Sequence, residues 1–367
     1  MKKNNVAIVG YYGTGSSAVI DLLKEYSSVN IAAPIDGDYE HNLFYSKGGL
    51  FDLGAILMNQ CSPYNSDMAV NNFLDCSRWQ NDNDFGWFGS YRKHFGNVFL
   101  KITDEFIDSI SKKKKISSAV HITKVRFSPI KAILQLCAKV IYGRKIGKLG
   151  RKYIYDGKYK YFSMPTKEEF TFASKKYTTS YINLFSQEGK VNVFDHLLWA
   201  QQTALLNDYF EDLKVIIVNR DPRDVYLLNK YYWHKPPVSN VKPFFPTNVE
   251  DFVFEWERSI VEKQQNCDNI LYINFEDLIY KYEETVQKIE QFLEISPIEH
   301  VKKGSFFHPD MSIENTQIFE LSKEWKDEVE PLKQRLLEHV YSFKELRVPD
   351  KNKWLETRLL CGKEKKK

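Results

Sequence analysis

The sequence predicts an α/β fold in which a mainly parallel central sheet is flanked by helices, with a largely helical or irregular insertion in the middle of the chain. Three short, mostly apolar runs at Val6–Val9, Lys214–Val218 and Ile270–Ile273 have the composition of buried strands. Segments with helical spacing lie between and after them. Strands that alternate with helices favour a parallel sheet.

The first predicted strand, Val6–Val9, ends at a glycine. A helix is predicted from Ser16, because apolar residues then recur at helical spacing at Val19, Leu22, Leu23 and Tyr26. The segment between them is therefore a loop that joins a strand to a helix.

The other elements come late in the chain. A strand, a helix and a second strand are predicted at Val191–Phe194, Leu197–Tyr209 and Lys214–Val218. Two helices with acidic residues early and apolar residues along one face are predicted at Glu250–Gln265 and Glu283–Glu294. We expect them to cover the sheet.

The length of 367 residues and the apolar content of 43% allow a sizeable core, so intrinsic disorder is not expected. We predict one domain over residues 1–350, with an insertion at 50–189. A tail follows at 351–367, and its charged end is expected to be disordered.

The net charge of +4 hides an asymmetry. The segment 111–160 contains fifteen Lys and Arg against one acid, Asp156, so the other residues sum to −10. Three interpretations stay open: a docking face for an anionic glycan, a membrane-surface helix attracted to acidic lipids, or a solvated face. A nucleic-acid partner is not expected, because the sequence contains no recognisable binding module.

The N-terminus and the cysteines bear on location. Four apolar residues after Met-Lys-Lys-Asn-Asn are too few for a secretory signal, and no run approaches the length of about 20 apolar residues that spans a bilayer. The five cysteines lack metal-ligand spacing and are odd in number, which argues against a zinc site and a disulfide framework. The expected location is cytoplasmic, with peripheral attachment to a membrane as the alternative and no transmembrane anchor.

The loop Gly10-Tyr-Tyr-Gly-Thr-Gly-Ser-Ser17 has the composition of an anion site. Its glycines let successive N–H groups point inward, and the hydroxyls of Thr14, Ser16 and Ser17 together with a helix N-terminus would complete the cradle. The glycine spacing matches a P-loop, but Ser16 stands where the lysine is required, which counts against an ATPase or kinase. An ordinary strand-to-helix turn with Ser16 as N-cap is the simpler alternative.

A second segment decides between these interpretations. Val215-Ile-Ile-Val-Asn-Arg-Asp-Pro-Arg-Asp-Val-Tyr226 resembles the motif of sulfotransferases that use 3′-phosphoadenosine 5′-phosphosulfate (PAPS), in which an arginine after a core strand holds the 3′-phosphate. Arg220 takes the position of that arginine. With this anchor, the loop resembles the family's 5′-phosphosulfate loop, through Gly13, Thr14, Gly15, Ser16 and Ser17.

Two further segments follow in the family's order. Leu271–Leu278 is similar to its Tyr-Glu-Asp-Leu segment, and Phe307–Asn315 resembles its Ser-x-x-Asn segment near the nucleotide, with Ser312 and Asn315 in the matching places. The resemblance covers roughly positions 5 to 45 and 190 to 320. It implies a P-loop-like sulfotransferase fold, PAPS as donor, adenosine 3′,5′-bisphosphate as product and no metal.

Two positions depart from the family pattern. Gly13 stands where a basic residue is usual, so the positive charge on the bridging oxygen has to come from elsewhere or is missing. Leu228 stands where a serine is usual, and helical geometry rotates the adjacent Asn229 by about 100° from that position. An inactive family member therefore remains an alternative.

The reaction needs a general base within reach of the acceptor hydroxyl. In carbohydrate sulfotransferases the base is often a glutamate or histidine some distance after the phosphosulfate loop, and Glu40 and His41 lie at a comparable offset. Glu40 is the first candidate for the base and His41 the second. The alternative is that the two residues are a solvated pair in a loop without a catalytic role. Asp36 and Asp38 are weaker candidates.

Two other side chains have open roles. His196 follows Asp195 at the end of a predicted strand, where open α/β sheets bind ligands, and the matching family position often carries Asp-Lys or Asp-Gln. His196 is therefore a candidate for stabilising the transferring sulfuryl group, with a structural histidine as the alternative. Arg223 could contact the 3′-phosphate, or it could form an ion pair at the helix start with Asp224.

The expected function is transfer of the sulfuryl group of PAPS to a hydroxyl of an acceptor in a site shaped by residues 40–190. We favour a carbohydrate acceptor, because the offset of Glu40 and the Arg-Asp-Pro-Arg-Asp sequence resemble glycan-modifying members. The alternatives are a non-catalytic nucleotide-binding scaffold for glycan assembly, favoured by Gly13 and Leu228, and a P-loop kinase without the usual lysine.

Overall fold

The computed structural model describes residues 5–11, 13–34, 39–59, 62–111, 113–116, 133, 137, 140, 159–233, 246–260 and 268–350. Most of the basic segment 111–160, the candidates Asp36 and Asp38 and the tail 351–367 lie outside these ranges. The strands are β1 Asn5–Gly10, β2 Val29–Ile31, β3 Lys113–Ile116, β4 Tyr159–Phe162, β5 Val191–Asp195, β6 Leu213–Asn219 and β7 Ile270–Asn274. The α-helices are α1 Ser16–Leu23, α2 Leu50–Asn59, α3 Pro63–Asp82, α4 Tyr91–Phe95, α5 Val98–Ile110, α6 Lys167–Phe185, α7 Leu206–Tyr209, α8 Pro222–Leu228, α9 Val249–Ser259, α10 Phe275–Tyr280, α11 Tyr282–Leu293, α12 Pro309–Ser312 and α13 Lys323–Arg335.

Within the described ranges, five strands form one sheet in the order β2-β5-β1-β6-β7, and each neighbouring pair is parallel. The predicted α/β class with a mainly parallel sheet flanked by helices is confirmed. In the register of the sheet, Ile8 pairs with Asp195 on one side of β1, and Gly10 pairs with Val218 on the other. The carboxyl ends of β1, β5 and β6 therefore lie side by side.

One predicted helix has a different form. The segment Leu197–Tyr209 contains a 3₁₀ helix at Ala200–Leu205 and a single α turn, α7, after it. The hydroxyl of Thr203 donates to the carbonyl of Ala200, and such local bonds compete with regular α-helical pairing.

Apolar packing gives the sheet its position. One core joins strand residues such as Val6, Val193 and Ile216 to apolar side chains of α1, α10 and α11. A second core joins α8, α9 and α13, with Trp256 and Leu332 among its members. Burial of these apolar side chains is what stabilises the elements that carry the polar loops.

The chain divides into two compact units, one formed by residues 1–42, 86–88 and 182–367 and the other by residues 43–85 and 89–181. The first unit contains the parallel sheet. The second is largely helical, with β3 antiparallel to β4. The predicted domain limits, 1–350 with an insertion at 50–189, stay a prediction. No helix in the described ranges is long and apolar enough to cross a membrane.

Candidate functional site

Polar side chains gather where the central strands end. The loop of Gly13 and Thr14 follows β1, Asp195 and His196 end β5, and Arg220 follows β6. Because the strands are parallel, these ends lie at one edge of the sheet, which is where open α/β folds bind ligands. All of these segments belong to the first compact unit.

The loop after β1 is built around Thr14 and two glycines. The buried Thr14 hydroxyl accepts the N–H of Tyr11 at 2.9 Å and donates to the Tyr11 carbonyl at 2.8 Å. Gly13 and Gly15 have φ of 82° and 90°, which favour glycine. A Cβ at Gly15 would lie 2.6 Å from Cδ2 of Phe275, so the close approach of α10 also requires glycine there.

Helix α1 begins directly after this loop. Its N-cap is Gly15, which has no side chain to cap the helix, and not Ser16 as in the simpler alternative. Ser16 is half-buried and Ser17 is exposed on the first turn. The first N–H groups of an α-helix lack intrahelical partners and attract anions. The geometry therefore suits an anion cradle.

Arg220 connects the three segments that resemble a donor site. Its Nη1 donates to the carbonyl of Gly13 at 2.9 Å, and its Nη2 donates to the carbonyl of Asn315. The guanidinium carbon lies 4.8 Å from the centroid of the Phe275 ring. The side chain is 6% exposed, so a positive charge is fixed beside the loop.

Arg223 and Asp224 hold neighbouring chain segments. Arg223 donates from Nε and Nη2 to the two carboxylate oxygens of Asp221 at 2.9 and 2.7 Å, and its guanidinium carbon lies 3.9 Å from the Phe319 ring centroid. Asp224 accepts the main-chain N–H groups of residues 317 and 318 at 2.8 and 2.7 Å. Arg223 is thus ion-paired with Asp221 and not, as the sequence suggested, with Asp224, whose carboxylate is taken by main-chain N–H groups.

Ser312 and Asn315 lie close together in the chain segment beside Arg220. Ser312 ends α12 and is half-buried, and Asn315 ends the 3₁₀ helix Ile313–Asn315. The structure brings the main-chain carbonyl of Asn315 to Arg220. Ser312 lies one short turn earlier in the chain.

His196 is held in place by its neighbours. Its main-chain N–H donates to the carbonyl of Ile8 at 3.1 Å, and its φ is 51°. The ring atom Nδ1 lies 2.5 Å from a carboxylate oxygen of Asp195. Burial on its own lowers the pKa of His196, but the hydrogen bond and charge of Asp195 and the charge of Glu40 raise it above the ordinary value. The imidazole therefore has the carboxylate of Asp195 as a direct partner and also responds to the charge of Glu40.

Glu40 and His41 have different surroundings although they are adjacent. Glu40 is half-buried and pairs with Asp195 as a parallel β-bridge, which places it beside His196. His41 is fully buried, its Nε2 lies 2.5 Å from the carbonyl oxygen of Ala32, and burial lowers its pKa to about 3. The ring of His41 is thus a neutral side chain packed in the interior.

Leu228 and Asn229 show why one site residue escaped the sequence argument. Leu228 is buried in the second core. Asn229, 3% exposed, begins a π-helix at Asn229–Trp233, and its Oδ1 lies 3.6 Å from where a Cβ of Gly13 would be. Asn229 itself has an α-helical backbone, with φ −58° and ψ −49°, so the rotation of about 100° from Leu228 holds. The sequence argument missed that this rotation turns Asn229 towards Gly13.

Glu276 is the second residue that the sequence argument left without a role. It is fully buried at the start of α10, and its carboxylate accepts the N–H of Asp221 at 2.9 Å. Burial, followed by the charge of Asp221, raises the pKa of Glu276 to about 8. Only its place in the Leu271–Leu278 segment could have indicated a contact with the loop after β6.

A cleft of about 480 Å³ opens beside the loop. Its walls are mainly aromatic, aliphatic and amide side chains, among them Tyr11, Trp199, Asn229 and Trp256, and they also include the carboxylate of Glu255 and the hydroxyl of Ser259. The ring of Trp199 also contacts His196, with 6.0 Å between the ring centroids. The cleft therefore lies next to the loop, and Trp199 in its wall contacts the histidine that follows β5.

A P-loop-like α/β fold with an anion loop after β1 and an arginine after β6 is the class that this geometry defines. Residues 3–336 match the family model described as a sulfotransferase domain. The chain therefore belongs to the sulfotransferase family, as the sequence motifs predicted.

Solved structures similar to the chain are also sulfotransferases. The sulfotransferase domain of the Synechococcus PCC 7002 olefin synthase is 11% identical, with a TM-score of 0.33 over 98% of this chain and 96% of that one. A sulfotransferase from Mycobacterium tuberculosis H37Rv is 11% identical, with a TM-score of 0.31 over 86% of this chain and 77% of that one. Comparison with curated proteins finds no match.

Proposed function

We propose that this sulfotransferase uses PAPS as its donor and transfers the sulfuryl group to an acceptor hydroxyl, with adenosine 3′,5′-bisphosphate as product. The observation that carries the proposal is the contact of Arg220 with both Gly13 and Asn315, since it joins the segments expected to bind a PAPS molecule. A cradle of amide groups beside a guanidinium suits a polyanionic donor.

In this proposal the loop from Gly13 to Ser17 and the first turn of α1 hold the 5′-phosphosulfate. Arg220 holds the 3′-phosphate, and Ser312 and Asn315 lie along the nucleotide. Arg223 supports the site through Asp221, which it fixes by two hydrogen bonds. Asn229 lies against Gly13, but its nearest side-chain atom is Oδ1, which only accepts hydrogen bonds, so it does not replace the usual basic side chain.

For the general base we propose His196. Its contact with Asp195 fixes Nδ1 and leaves Nε2 to accept the proton of the acceptor hydroxyl, and the negative charge of Asp195 stabilises the imidazolium that results. Glu40 is the alternative base, and in the histidine scheme it stabilises the same imidazolium. We assign His41 a packing role, because its Nε2 is engaged by Ala32. A carbohydrate is the favoured acceptor, on the grounds of the Glu40 offset and the Arg-Asp-Pro-Arg-Asp sequence.

The test is a thermal-shift comparison of adenosine 3′,5′-bisphosphate, ATP and AMP. A ligand that binds only the native state contributes about 2.7 kcal/mol at 100 times its Kd, so we expect a clear rise in Tm that is largest for the bisphosphate. In Arg220→Ala the rise with the bisphosphate should fall far more than the rise with AMP, because AMP lacks the 3′-phosphate. The exposed Arg335→Ala is the matched control.

Each other outcome has a distinct meaning. No rise in Tm at millimolar bisphosphate would refute the donor assignment. A larger rise with ATP would favour the kinase alternative. Binding of the bisphosphate without sulfuryl transfer to any hydroxyl would favour the scaffold alternative. If Arg220→Ala reduces the rise in Tm equally for the bisphosphate and for AMP, the arginine acts only by holding Gly13 and Asn315 together and does not bind the 3′-phosphate.

A further inference from the structure

The cleft beside the loop contains two buried polar atoms that have no hydrogen-bond partner within the described part of the chain. They are Oδ1 of Asn229 and Nε1 of Trp256, whose side chains are 3% and 6% exposed. Both residues line the cleft. A buried polar group without a partner costs free energy, so an occupant that supplies the missing partners is favoured.

The two atoms differ in kind. The indole N–H of Trp256 only donates, and the amide oxygen of Asn229 only accepts. A hydroxyl group both donates and accepts, so hydroxyl groups are suited to satisfy both atoms. Around them, the rings of Tyr11, Phe252 and Trp256 form a connected aromatic wall, with centroids 6.3 Å apart for Tyr11 and Trp256 and 5.3 Å apart for Phe252 and Trp256.

We infer that the cleft binds a sugar ring of the acceptor, with hydroxyl groups other than the reacting one hydrogen-bonded to Asn229 and Trp256; this inference rests on the proposed sulfuryl transfer. A phenol or simple alcohol has one hydroxyl, which must face His196 to react and leaves both buried atoms unpaired. A sugar has several hydroxyls on a ring whose apolar face packs on aromatic side chains. The volume of about 480 Å³ lies in the range of small-molecule sites.

The cleft has a direct path to the reaction centre. Trp199 lines it and contacts the ring of His196. The main-chain N–H of Trp199 donates to the side-chain oxygen of Gln202 at 2.9 Å. Val225 and Asn229 also line the cleft, and both lie within 4 Å of where a Cβ of Gly13 would be. A ring bound here lies between the proposed base and the loop that holds the donor.

The test measures acceptor binding by calorimetry with protein saturated with adenosine 3′,5′-bisphosphate. The probes are four neutral tetrasaccharides, built from glucose, N-acetylglucosamine, galactose or mannose, and 2-naphthol as the phenol. Trp256→Phe keeps an aromatic ring in the second core but removes the N–H donor together with part of the ring volume, a loss that the control variant shares. Trp325→Phe is the matched control, because Trp325 lies on α13 and does not line the cleft.

We expect at least one tetrasaccharide to bind more tightly than 2-naphthol. Trp256→Phe should raise its Kd about three- to tenfold, the effect of one lost hydrogen bond, and Trp325→Phe should leave it unchanged. If Trp256→Phe does not fold, Asn229→Leu, which is of similar size, tests the same expectation. The inference is wrong if 2-naphthol binds better, if no tetrasaccharide binds, or if saccharide binding is the same in the variant.

The nucleotide melting shift separates this inference from the proposed function. A normal shift in Trp256→Phe together with weakened saccharide binding supports both. A normal shift without saccharide binding refutes only the acceptor subsite. Saccharide binding that depends on Trp256 without any nucleotide shift would keep the sugar site and refute sulfuryl transfer from PAPS.

Discussion

His196 is the side chain whose chemistry depends most on its neighbours. A general base must be deprotonated to act, and the carboxylates of Asp195 and Glu40 favour its protonated form. The result is a stronger base that is available over a narrower pH range. Activity should therefore fall as the pH drops through a midpoint above 6.5, the ordinary pKa of histidine.

A series of variants tests this assignment through kcat as a function of pH. His196→Ala should lower kcat by about 10²- to 10⁴-fold, the contribution of a general base. Glu40→Gln removes a charge that raises the pKa of His196, so the acid limb of the profile should move to lower pH while activity at high pH is kept. His41→Ala should reduce stability by leaving a cavity and change the pH profile little.

The opposite results would reassign the base. If Glu40→Gln is inactive at every pH while His196→Ala keeps most of its turnover, Glu40 is the base, as the sequence offset indicated. The sequence favoured Glu40 as the base and gave His196 only a role towards the transferring sulfuryl group. The ranking depends on the bridge between Glu40 and Asp195, which joins segments more than 150 residues apart.

At the scale of elements, the sequence predicted the loop and helix α1 well because their signals are local. Glycine spacing and apolar periodicity lie within about 20 residues of each other. What the sequence could not predict is the packing of Phe275 against Gly15, since 260 positions separate them. The same holds for the approach of Asn229 to Gly13, since 216 positions separate them.

The packing of α10 against the loop predicts a large effect of Gly15→Ala. The matched control is Gly189→Ala, because Gly189 also has a positive φ, of 75°, but no atom lies within 4 Å of its added Cβ. The control should lose about 1 kcal/mol of unfolding free energy from backbone strain alone. Gly15→Ala should lose a further 1–3 kcal/mol or so from the clash with Phe275, and also bind adenosine 3′,5′-bisphosphate more weakly.

Urea denaturation of the two variants measures this difference. Equal losses in the two proteins would mean that Phe275 moves away from the loop at little cost. In that case the contact between α10 and the loop would not be the reason that position 15 requires glycine.

At the scale of the whole molecule, buried charges join distant parts of the first compact unit. The carboxylate of Asp221 accepts hydrogen bonds from Arg223 and from the main-chain N–H of Tyr341, 120 positions away. The main-chain N–H of Asp221 donates to the carboxyl group of Glu276. The sequence suggested an ion pair of Arg223 with Asp224, whereas the structure pairs Arg223 with Asp221. It gave no indication that a further carboxyl group, from α10, would be fully buried beside them.

Glu276 therefore makes the stability of the molecule depend on pH. Its pKa is about 8 in the folded protein, raised by burial and by Asp221, against an ordinary value of 4.5. Between these values the folded state holds a proton that the unfolded state releases, so the free energy of unfolding falls as the pH rises. The stabilising contribution is complete below pH 4.5 and is lost as the pH passes 8.

Glu276→Gln keeps the oxygen that accepts the N–H of Asp221 and cannot ionise. The variant should match the wild type at about pH 4 and become progressively more stable than it towards pH 8, as measured by urea denaturation at several pH values. Glu284→Gln, on the exposed side of α11, should follow the wild type throughout. If the curves of Glu276→Gln and the wild type run parallel, Glu276 is ionised in the folded protein and its charge is balanced by Arg220.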